Sequence, residues 1–349
     1  MCGLFELDLD HVVGHTDAKV WEKLAGRRVF LTGGTGFVGK WLLESLLHAN
    51  DLAALGIRVT VLTRDPGRFS RESPHLASRP ELTLLTGDVQ TFEFPDGNFP
   101  FLIHAATERQ FPANPNFPAS TFDADVEGTR RVLAFARTHG TESLLFTSSG
   151  AVYGVQPAEL THIPEEFSGA PATTDVRSAY GQAKRVSEFL CTMHGEQFGF
   201  SALIARLFAF VGPYLPLDEN FAVGNFVGDV LAKRPIRIKG DGTPYRSYLY
   251  ASDLAVWLWT ILVKGVSGRP YNVGSEDSIN ISEMAARVAS VTVPETVIER
   301  AGVPVVGARA ARYVPSVRRA QDELGLAAEI PLDEGIRRLY RWAGGESAG

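Results

Sequence analysis

The chain of 349 residues is 45% hydrophobic and 21% charged, a composition that predicts a soluble globular protein of one large or two ordinary domains and excludes a disordered or fibrous chain. Its formal net charge of −6 argues against nucleic acid as the main partner, because phosphate binding needs a basic surface. The two cysteines cannot build a disulfide framework, so we expect a reducing, cytoplasmic setting.

Residues 1–26 are predicted to be an extension that precedes the first domain. The segment begins with acidic residues where an export signal needs basic ones, and no run approaches the ~18 apolar residues of a membrane span. In HVVGH, His11 and His15 stand four residues apart, but Gly14 weakens a helix and no acidic third ligand lies between them. We therefore predict neither a membrane span nor a metal site.

Apolar, β-rich runs then alternate with amphipathic helical patterns. The runs occupy 27–33, 57–63, 82–88, 101–106, 143–149 and 200–207, and between them come amphipathic stretches such as 37–49, 122–139 and 179–198. This alternation predicts an α/β fold over residues 27–207, a doubly wound parallel sheet with its ligand crevice at the carboxyl ends of the strands.

After about residue 208 the pattern changes to loops punctuated by glycine and proline. Helices are predicted near 220–233, 252–263 and 281–290, with short strands at 236–239 and 270–273. We interpret residues 208–349 as mainly a smaller α/β lobe that covers the crevice and binds the substrate, with crossovers back to the first domain.

A glycine-rich loop follows the first predicted strand. In VFLTGGTGFVGKWLLESLL, Gly33, Gly36 and Gly39 leave the strand and open the first helix. Glycines at these places permit a tight turn, close approach of a pyrophosphate to the backbone, and close packing of helix on strand, while the helix N-terminus supplies N–H donors. The order of strand, loop and helix favours dinucleotide binding over a plain glycine-rich turn.

The end of the second strand bears on which dinucleotide binds. About 20 residues beyond the glycine loop, an acid would hold the ribose hydroxyls of NAD and an arginine would hold the 2′-phosphate of NADP. The strand ends in VLTRDPGRF, so Thr63 and Arg64 favour NADP, while Asp65, one or two places later, keeps NAD as the alternative. Asp88 in TGDV is predicted to bind the adenine amino group, or else to cap a turn or helix.

A tyrosine and a lysine stand four residues apart in SAYGQAK. In a helix this spacing stacks the two side chains on one face, so Lys184 could lie beneath the Tyr180 ring and favour its ionised form. The alternative is an ordinary exposed helix face. The pair is a candidate proton-transfer device, because a phenol near its usual pKa of about 10 is a poor base at neutral pH and a nearby ammonium favours the phenolate.

Six motifs occur in a characteristic order: TGGTGFVG, TGDV, HAAT, SSGAVYG, YGQAK and GDGTPYRSYLYASDLA. Over about residues 27 to 340 the chain thereby resembles extended short-chain dehydrogenases/reductases of the NAD-dependent epimerase/dehydratase group. The resemblance implies that Tyr180 is the catalytic acid/base, that Lys184 binds the nicotinamide ribose and lowers the pKa of Tyr180, and that Ser149 assists. The predicted cofactor-binding residues are Gly33, Thr35, Gly36, Phe37, Val38, Thr63, Arg64, Asp88, Val89, Ala105, Ala106, Thr107, Tyr180 and Lys184.

The second part of the chain carries the predicted substrate residues. The stretch GNFVGDVLAKRPIRIKGDGTPYRSYLY resembles nucleotide-sugar enzymes and implies that Asn225 touches the ligand and Arg246 reaches a phosphate. Arginine suits a pyrophosphate because its planar fork donates two hydrogen bonds at once. Glu108 and Ser149 are predicted to face the sugar, and Arg312 is a further candidate for a ligand contact.

The chain departs from its relatives at two asparagine positions, which hold Asp125 and Ala209. The resemblance also implies a homodimer, because the segments 122–139 and 179–198 resemble the helix pair that builds a four-helix interface in relatives.

The residues after Ser149 bear on the reaction. Gly150 and Ala151 stand where sugar 4,6-dehydratases carry an Asp-Glu pair and where UDP-glucuronate decarboxylases carry a Glu in the second place. Elimination of water needs a base and an acid, so the chain is predicted to be an NAD(P)-dependent epimerase or ketoreductase acting at a sugar carbinol, C4. The alternatives are a nucleotide-sugar dehydratase, a reductase of a small non-nucleotide carbonyl compound, and an NADP-sensing regulator.

Overall fold

The computed structural model describes residues 5–107, 119–219, 221–305 and 307–345. The helices are α1 Glu6–His15, α2 Ala18–Leu24, α3 Phe37–Ala53, α4 Pro66–Glu72, α5 Pro74–Ala77, α6 Ala119–Thr138, α7 Ala179–Phe198, α8 Ala222–Leu231, α9 Ala251–Lys264, α10 Ile281–Val291, α11 Arg318–Leu324 and α12 Leu332–Trp342. The strands are β1 Arg28–Thr32, β2 Arg58–Thr63, β3 Leu82–Thr86, β4 Phe101–His104, β5 Ser143–Ser149, β6 Ser201–Leu207, β7 Phe210–Val211, β8 Ile236–Ile238, β9 Tyr245–Ser247, β10 Leu249–Tyr250, β11 Pro270–Val273, β12 Ser278–Asn280, β13 Ile298–Arg300 and β14 Arg312–Tyr313.

Seven parallel strands form the central sheet, in the order β11-β6-β5-β4-β1-β2-β3. Successive residues of β1 enter different cores: Val29 and Leu31 pack with α3 and α9, whereas Phe30 packs in the cluster that includes α6 and α7. A sheet buried on both faces needs apolar side chains on both, which explains why these strands read as nearly continuous apolar runs. The predicted doubly wound parallel sheet is confirmed.

The chain changes direction across the sheet between β1 and β4. It adds β2 and β3 on one side of β1, then returns to place β4 on the other side, followed by β5 and β6. At such a reversal the crossover helices lie on opposite faces, and a crevice opens at the carboxyl ends of the two strands. The ends of β1, β4 and β5 therefore border one site.

The chain beyond residue 207 contributes both to this sheet and to smaller ones. Strand β11, from the predicted strand at 270–273, pairs with β6 at the edge of the central sheet. Strand β9 pairs with both β12 and β14 in a three-stranded sheet, in which Tyr313 stands opposite Arg246. Strand β14 lies far along the chain from β5, and its pairing with β9 brings Tyr313 beside Ser149 at the end of β5.

The predicted N-terminal extension folds as two helices against α3 and α9. Asp8 in α1 is fully buried, where it accepts hydrogen bonds from the Tyr250 hydroxyl at 2.8 Å and from the Arg338 guanidinium at 2.5 Å. His11 lies 2.7 Å from Asp253. These buried polar contacts fix the extension to the folded core. Across the described ranges, no helix is long and apolar enough to cross a membrane.

Candidate active site

The glycine loop after β1 forms a cradle of bare backbone. Gly33 has a positive φ of 73°, and a Cβ at this position would collide with the backbone carbonyl of Ala105. A Cβ on Gly39 would collide with the Gly33 carbonyl, so Gly39 allows α3 to pack tightly on the loop. Gly36 caps α3 without a side chain, which leaves the N–H groups of the first turn available to an anion. The predicted residues Thr35, Phe37 and Val38 lie in this loop and in the first turn of α3.

The end of β2 carries Thr63 and Arg64, the two residues predicted to favour NADP. Thr63 is buried and its hydroxyl accepts a hydrogen bond from the Asp65 N–H at 3.3 Å, while Arg64 is exposed. The Asp65 carboxylate accepts from the Arg68 N–H at 2.8 Å and caps α4. Asp65 thus has a structural use as a helix cap.

Asp88 follows β3 at the same edge of the sheet. Its carboxylate accepts a hydrogen bond from the Gln90 N–H at 2.9 Å, and its carbonyl accepts from the Phe92 N–H at 2.8 Å. This is the turn-capping role that the sequence left open beside adenine binding. Val89 packs against Gly128 of α6, where an added Cβ would lie 2.9 Å from the valine side chain.

The end of β4 is tied to β1 by hydrogen bonds. The N–H groups of Ala105 and Ala106 donate to the carbonyl and hydroxyl oxygens of Thr32 at 3.2 and 3.1 Å. The Thr32 hydroxyl also lies 2.8 Å from Nδ1 of His104, whose Nε2 lies 3.1 Å from the Thr129 hydroxyl. Burial, and to a lesser degree the charge of Lys184, lowers the pKa of His104 to about 3, so this ring is neutral at working pH.

Strand β5 and helix α7 bring together the predicted trio Ser149, Tyr180 and Lys184. Ser149 ends β5, and its Oγ accepts from the Ala151 N–H at 3.1 Å. Lys184 is 2% exposed, donates to the Thr147 carbonyl at 3.3 Å, and lies with Nζ 5.6 Å from the Tyr180 ring centroid. The helical spacing therefore places the ammonium against the phenol ring, as the sequence predicted.

The pKa of Tyr180 is raised to about 12, the direction opposite to the expected lowering. Loss of water around the phenol is the largest cause, the charge of Asp125 adds to it, and the hydrogen bond with the Ser149 hydroxyl acts in the opposite direction. Asp125 is 2% exposed on α6, and its Oδ2 lies 3.6 Å from Lys184 Nζ. The carboxylate offsets the ammonium that was expected to stabilise the phenolate.

A second tyrosine, Tyr313 on β14, reaches the same site. Its Oη lies 3.4 Å from Ser149 Oγ, and its ring centroid lies 4.6 Å from that of Phe208. Burial raises the pKa of Tyr313 above the usual tyrosine value, so its hydroxyl remains protonated. Sequence reasoning missed this residue because 164 positions separate it from Ser149 and no local motif marks it.

Arg246 stands beside Tyr313 across the small sheet. Its guanidinium carbon lies 5.6 Å from the Tyr313 ring centroid, and it donates to the Tyr245 carbonyl at 2.7 Å. Arg312 lies over the Tyr245 ring, 4.3 Å from the centroid. The structure thus brings Arg246 close to the predicted catalytic trio through Tyr313.

The two other predicted substrate residues are Asn225 and Glu108. Asn225 is half-buried on α8, a helix that packs on α10 and α12. Glu108 lies outside the described residues.

Comparison with known proteins identifies the site's relatives. The model of the NAD dependent epimerase/dehydratase family matches residues 29–274. UDP-glucuronic acid decarboxylase 1 of Arabidopsis thaliana is 30% identical over 318 residues, which cover 89% of this chain and 68% of that protein. UDP-glucuronic acid decarboxylase 1 of Danio rerio is 26% identical over 337 residues, covering 97% and 77% of the two chains.

Solved structures share the fold. The UDP-glucuronic acid 4-epimerase of Bacillus cereus, in complex with UDP-glucuronic acid and NAD, has a TM-score of 0.76 at 18% identity, covering 90% of this chain and 98% of that one. The UDP-glucose 4-epimerase of Thermotoga maritima with UDP-glucose has a TM-score of 0.75 at 18% identity, with the same two coverages. At this identity the similarity extends to the fold alone.

Proposed function

The chain belongs to the NAD-dependent epimerase/dehydratase family and is an enzyme of the extended short-chain dehydrogenase/reductase type. From this premise we propose that it oxidises a nucleotide sugar at a ring carbinol, C4. The observation that carries the proposal is the convergence of Ser149, Tyr180 and Lys184 at the end of β5, beside the glycine cradle after β1. A proton acceptor and a dinucleotide cradle at one crevice are what alcohol oxidation requires.

The residues of the chain divide the work of this reaction. A bound dinucleotide supplies the hydride acceptor, and the backbone cradle at Gly33 and Gly36 fits its pyrophosphate. Tyr180 takes the proton of the carbinol hydroxyl, and Ser149 holds the reacting oxygen by a hydrogen bond. The Lys184 ammonium stabilises the phenolate that takes the proton, and its near-complete burial strengthens that interaction.

The residues after Ser149 favour a reaction without loss of water. A Cβ at Gly150 would lie 2.7 Å from both the Phe208 ring and the Tyr313 hydroxyl, so a carboxylate side chain has no room there. Ala151 carries no acid or base. With neither place able to serve 4,6-elimination, we propose re-reduction of the keto sugar to its epimer, or one-way reduction of a keto sugar, as the outcome.

Decarboxylation of a UDP-hexuronic acid is a second candidate, because the curated relatives quoted above are UDP-glucuronic acid decarboxylases. Oxidation at C4 turns such a sugar into a β-keto acid, which loses carbon dioxide without a carboxylate base. The missing Glu at position 151 therefore weighs less against this reaction than against elimination of water.

Product masses distinguish these reactions. The purified protein is incubated with UDP-glucuronic acid and with UDP-, dTDP-, GDP- and CDP-hexoses, and the products are separated and weighed. A new isomer of unchanged mass supports epimerisation, and loss of carbon dioxide supports decarboxylation. Loss of water that Glu108→Gln abolishes would contradict our proposal, since another carboxylate would then perform the elimination. Mass spectrometry of ligands released from the protein tests for a non-nucleotide substrate.

We propose NADP as the preferred cofactor on the basis of Arg64, while the comparisons do not support this preference and the solved relatives hold NAD. Arg64 is exposed at the end of β2, where the second ribose of a dinucleotide lies in this fold. Asp65 already uses one carboxylate oxygen to cap α4, which leaves this acid less available to the ribose hydroxyls of NAD.

We also propose a homodimer through α6 and α7, which pack side by side. Phe189 is 68% exposed and Met193 is 38% exposed, one helical turn apart on the outer face of α7. Two large apolar side chains on one exposed helix face are typical of a protein interface.

A further inference from the structure

Asp125 on α6 is a buried carboxylate inside the candidate active site whose role the proposed reaction does not yet explain. It is 2% exposed, and its Oδ2 lies 3.6 Å from Lys184 Nζ and accepts a hydrogen bond from the Thr107 hydroxyl at 3.2 Å. Its Oδ1 is buried and has no hydrogen-bond partner among the described residues. A buried carboxylate is costly unless it is paired with a cation, so the pairing with Lys184 is the contact that its burial most needs.

We propose that Asp125 has two roles beside the catalytic pair: its carboxylate holds the Lys184 ammonium in place, and its own negative charge acts on Tyr180 and moves the pH range in which Tyr180 serves as a base to higher pH. This inference deepens the proposed reaction and rests on it for the role of Tyr180. The geometry supports it, because Lys184 Nζ lies 3.6 Å from the Asp125 carboxylate and 5.6 Å from the Tyr180 ring centroid, so all three groups share one small region.

Within the described part of the chain, the other charged or titratable groups around this cluster leave Asp125 as the anion that acts on Tyr180. From the elements packed around it come His104 of β4, Glu188 and Cys191 of α7, Arg246 of β9 and Tyr313 of β14. His104 is neutral, and burial keeps the Cys191 thiol and the Tyr313 phenol protonated.

The carboxylate of Glu188 is already paired away from this cluster. It accepts two hydrogen bonds from Arg206 at 2.9 and 2.7 Å and a third from Ser148. Asp125, by contrast, raises the pKa of Tyr180 directly. Among the residues that the structure describes, no second unpaired anion therefore interferes with the effect of a charge substitution at position 125 on Tyr180.

The test measures the titration of Tyr180 itself and needs no substrate. Tyrosines are labelled with ¹³C at Cζ, and the Tyr180 resonance is assigned by its disappearance in Tyr180→Phe. In Asp125→Asn, which keeps the side-chain size, we expect this resonance to titrate about one pH unit lower than in the native protein, the effect of one nearby charge at an effective dielectric constant near 20. Asp123→Asn, an exposed position on the same helix, should leave the titration unchanged.

Two further variants separate charge from packing. Asp125→Glu keeps the charge and should titrate as the native protein does. In a Lys184→Met background no buried ammonium is left unpaired, and there Asp125→Asn should again lower the titration of Tyr180 by about one pH unit. If Asp125→Asn alone fails to fold, the comparison in the Lys184→Met background still tests whether Asp125 acts on Tyr180.

An unchanged Tyr180 titration in folded Asp125→Asn, or in the Lys184→Met background, would overturn the inference. Where the protein turns over a nucleotide sugar, the pH dependence of kcat/KM for oxidation should shift by the same amount and in the same direction. Absence of turnover with every sugar would refute the proposed function, yet it would leave the measured titration, and hence the effect of Asp125 on Tyr180, intact.

Discussion

Replacing Gly33 with alanine should destroy the cofactor cradle, and a second glycine provides a matched control. Gly33 has φ of 73° and Gly56 has φ of 66°, so alanine is strained by a similar amount at both positions. A Cβ at Gly56 would meet nothing within 4 Å, whereas a Cβ at Gly33 would collide with the backbone carbonyl of Ala105. The two variants therefore differ in the collision alone.

The sizes of the two effects follow from this difference. Left-handed backbone costs a non-glycine residue about 1–2 kcal/mol, which is the whole expected loss of unfolding free energy for Gly56→Ala. Gly33→Ala adds overpacking against the rigid backbone at the end of β4, about 1–3 kcal/mol more, for a total of roughly 3 kcal/mol. Relief of the collision would push Ala105 and Ala106 out of the crevice, so the cradle would also lose its shape.

Thermal unfolding with and without cofactor measures both consequences. At a cofactor concentration of about one hundred times Kd, a protein that binds it gains about 2.7 kcal/mol of stability, seen as a rise in Tm. We expect this rise in the native protein and in Gly56→Ala, and we expect its loss in Gly33→Ala. A Gly33→Ala protein that is stabilised by cofactor as well as Gly56→Ala would refute the assignment of this loop as the cofactor cradle.

Four further outcomes are expected. Tyr180→Phe should retain the cofactor-induced rise in Tm but lose turnover by roughly 10²–10⁴-fold, because it removes only the proton acceptor; near-native kcat would contradict its role. Arg64→Ala should weaken NADP binding in titration calorimetry far more than NAD binding. Arg71→Ala, at an exposed position on α4, is the control and should change neither affinity. Equal affinities of the native protein for both cofactors would count against the NADP preference. Sedimentation should show a dimer that Phe189→Glu converts to a monomer, and a native monomer would exclude the interface. Burial raises the pKa of Tyr248 to about 12 from an ordinary value of about 10, so the neutral Tyr248 side chain contributes stability that is fully present below pH 10 and is lost as pH rises through 12. Tyr248→Phe should therefore reduce the fall of the urea-unfolding free energy between pH 10 and pH 12 by up to about 2.7 kcal/mol. An unchanged pH dependence in this variant would refute the prediction.

Local patterns in the sequence determined the layout of the central sheet. The run VFLT predicts β1 because its residues face two apolar layers, and the glycines from Gly33 to Gly39 predict the turn because their backbone must pass close to other backbone. The Tyr180 and Lys184 pair could be found in the same way, since four residues make one helical turn. Each of these features leaves its signal within one short stretch of sequence, even where the contact that explains it is distant, as between Gly33 and Ala105.

The tertiary structure alone decided how the site is charged and closed. The pKa of Tyr180 depends on Asp125, which lies on a different helix, and the sequence-based expectation of a lowered value failed because that contact could not be read from SAYGQAK. Tyr313 reaches Ser149 only because β14 pairs with β9 in the small sheet. Electrostatic energies depend on distance and burial in space, and spacing along the chain specifies neither for residues on separate elements.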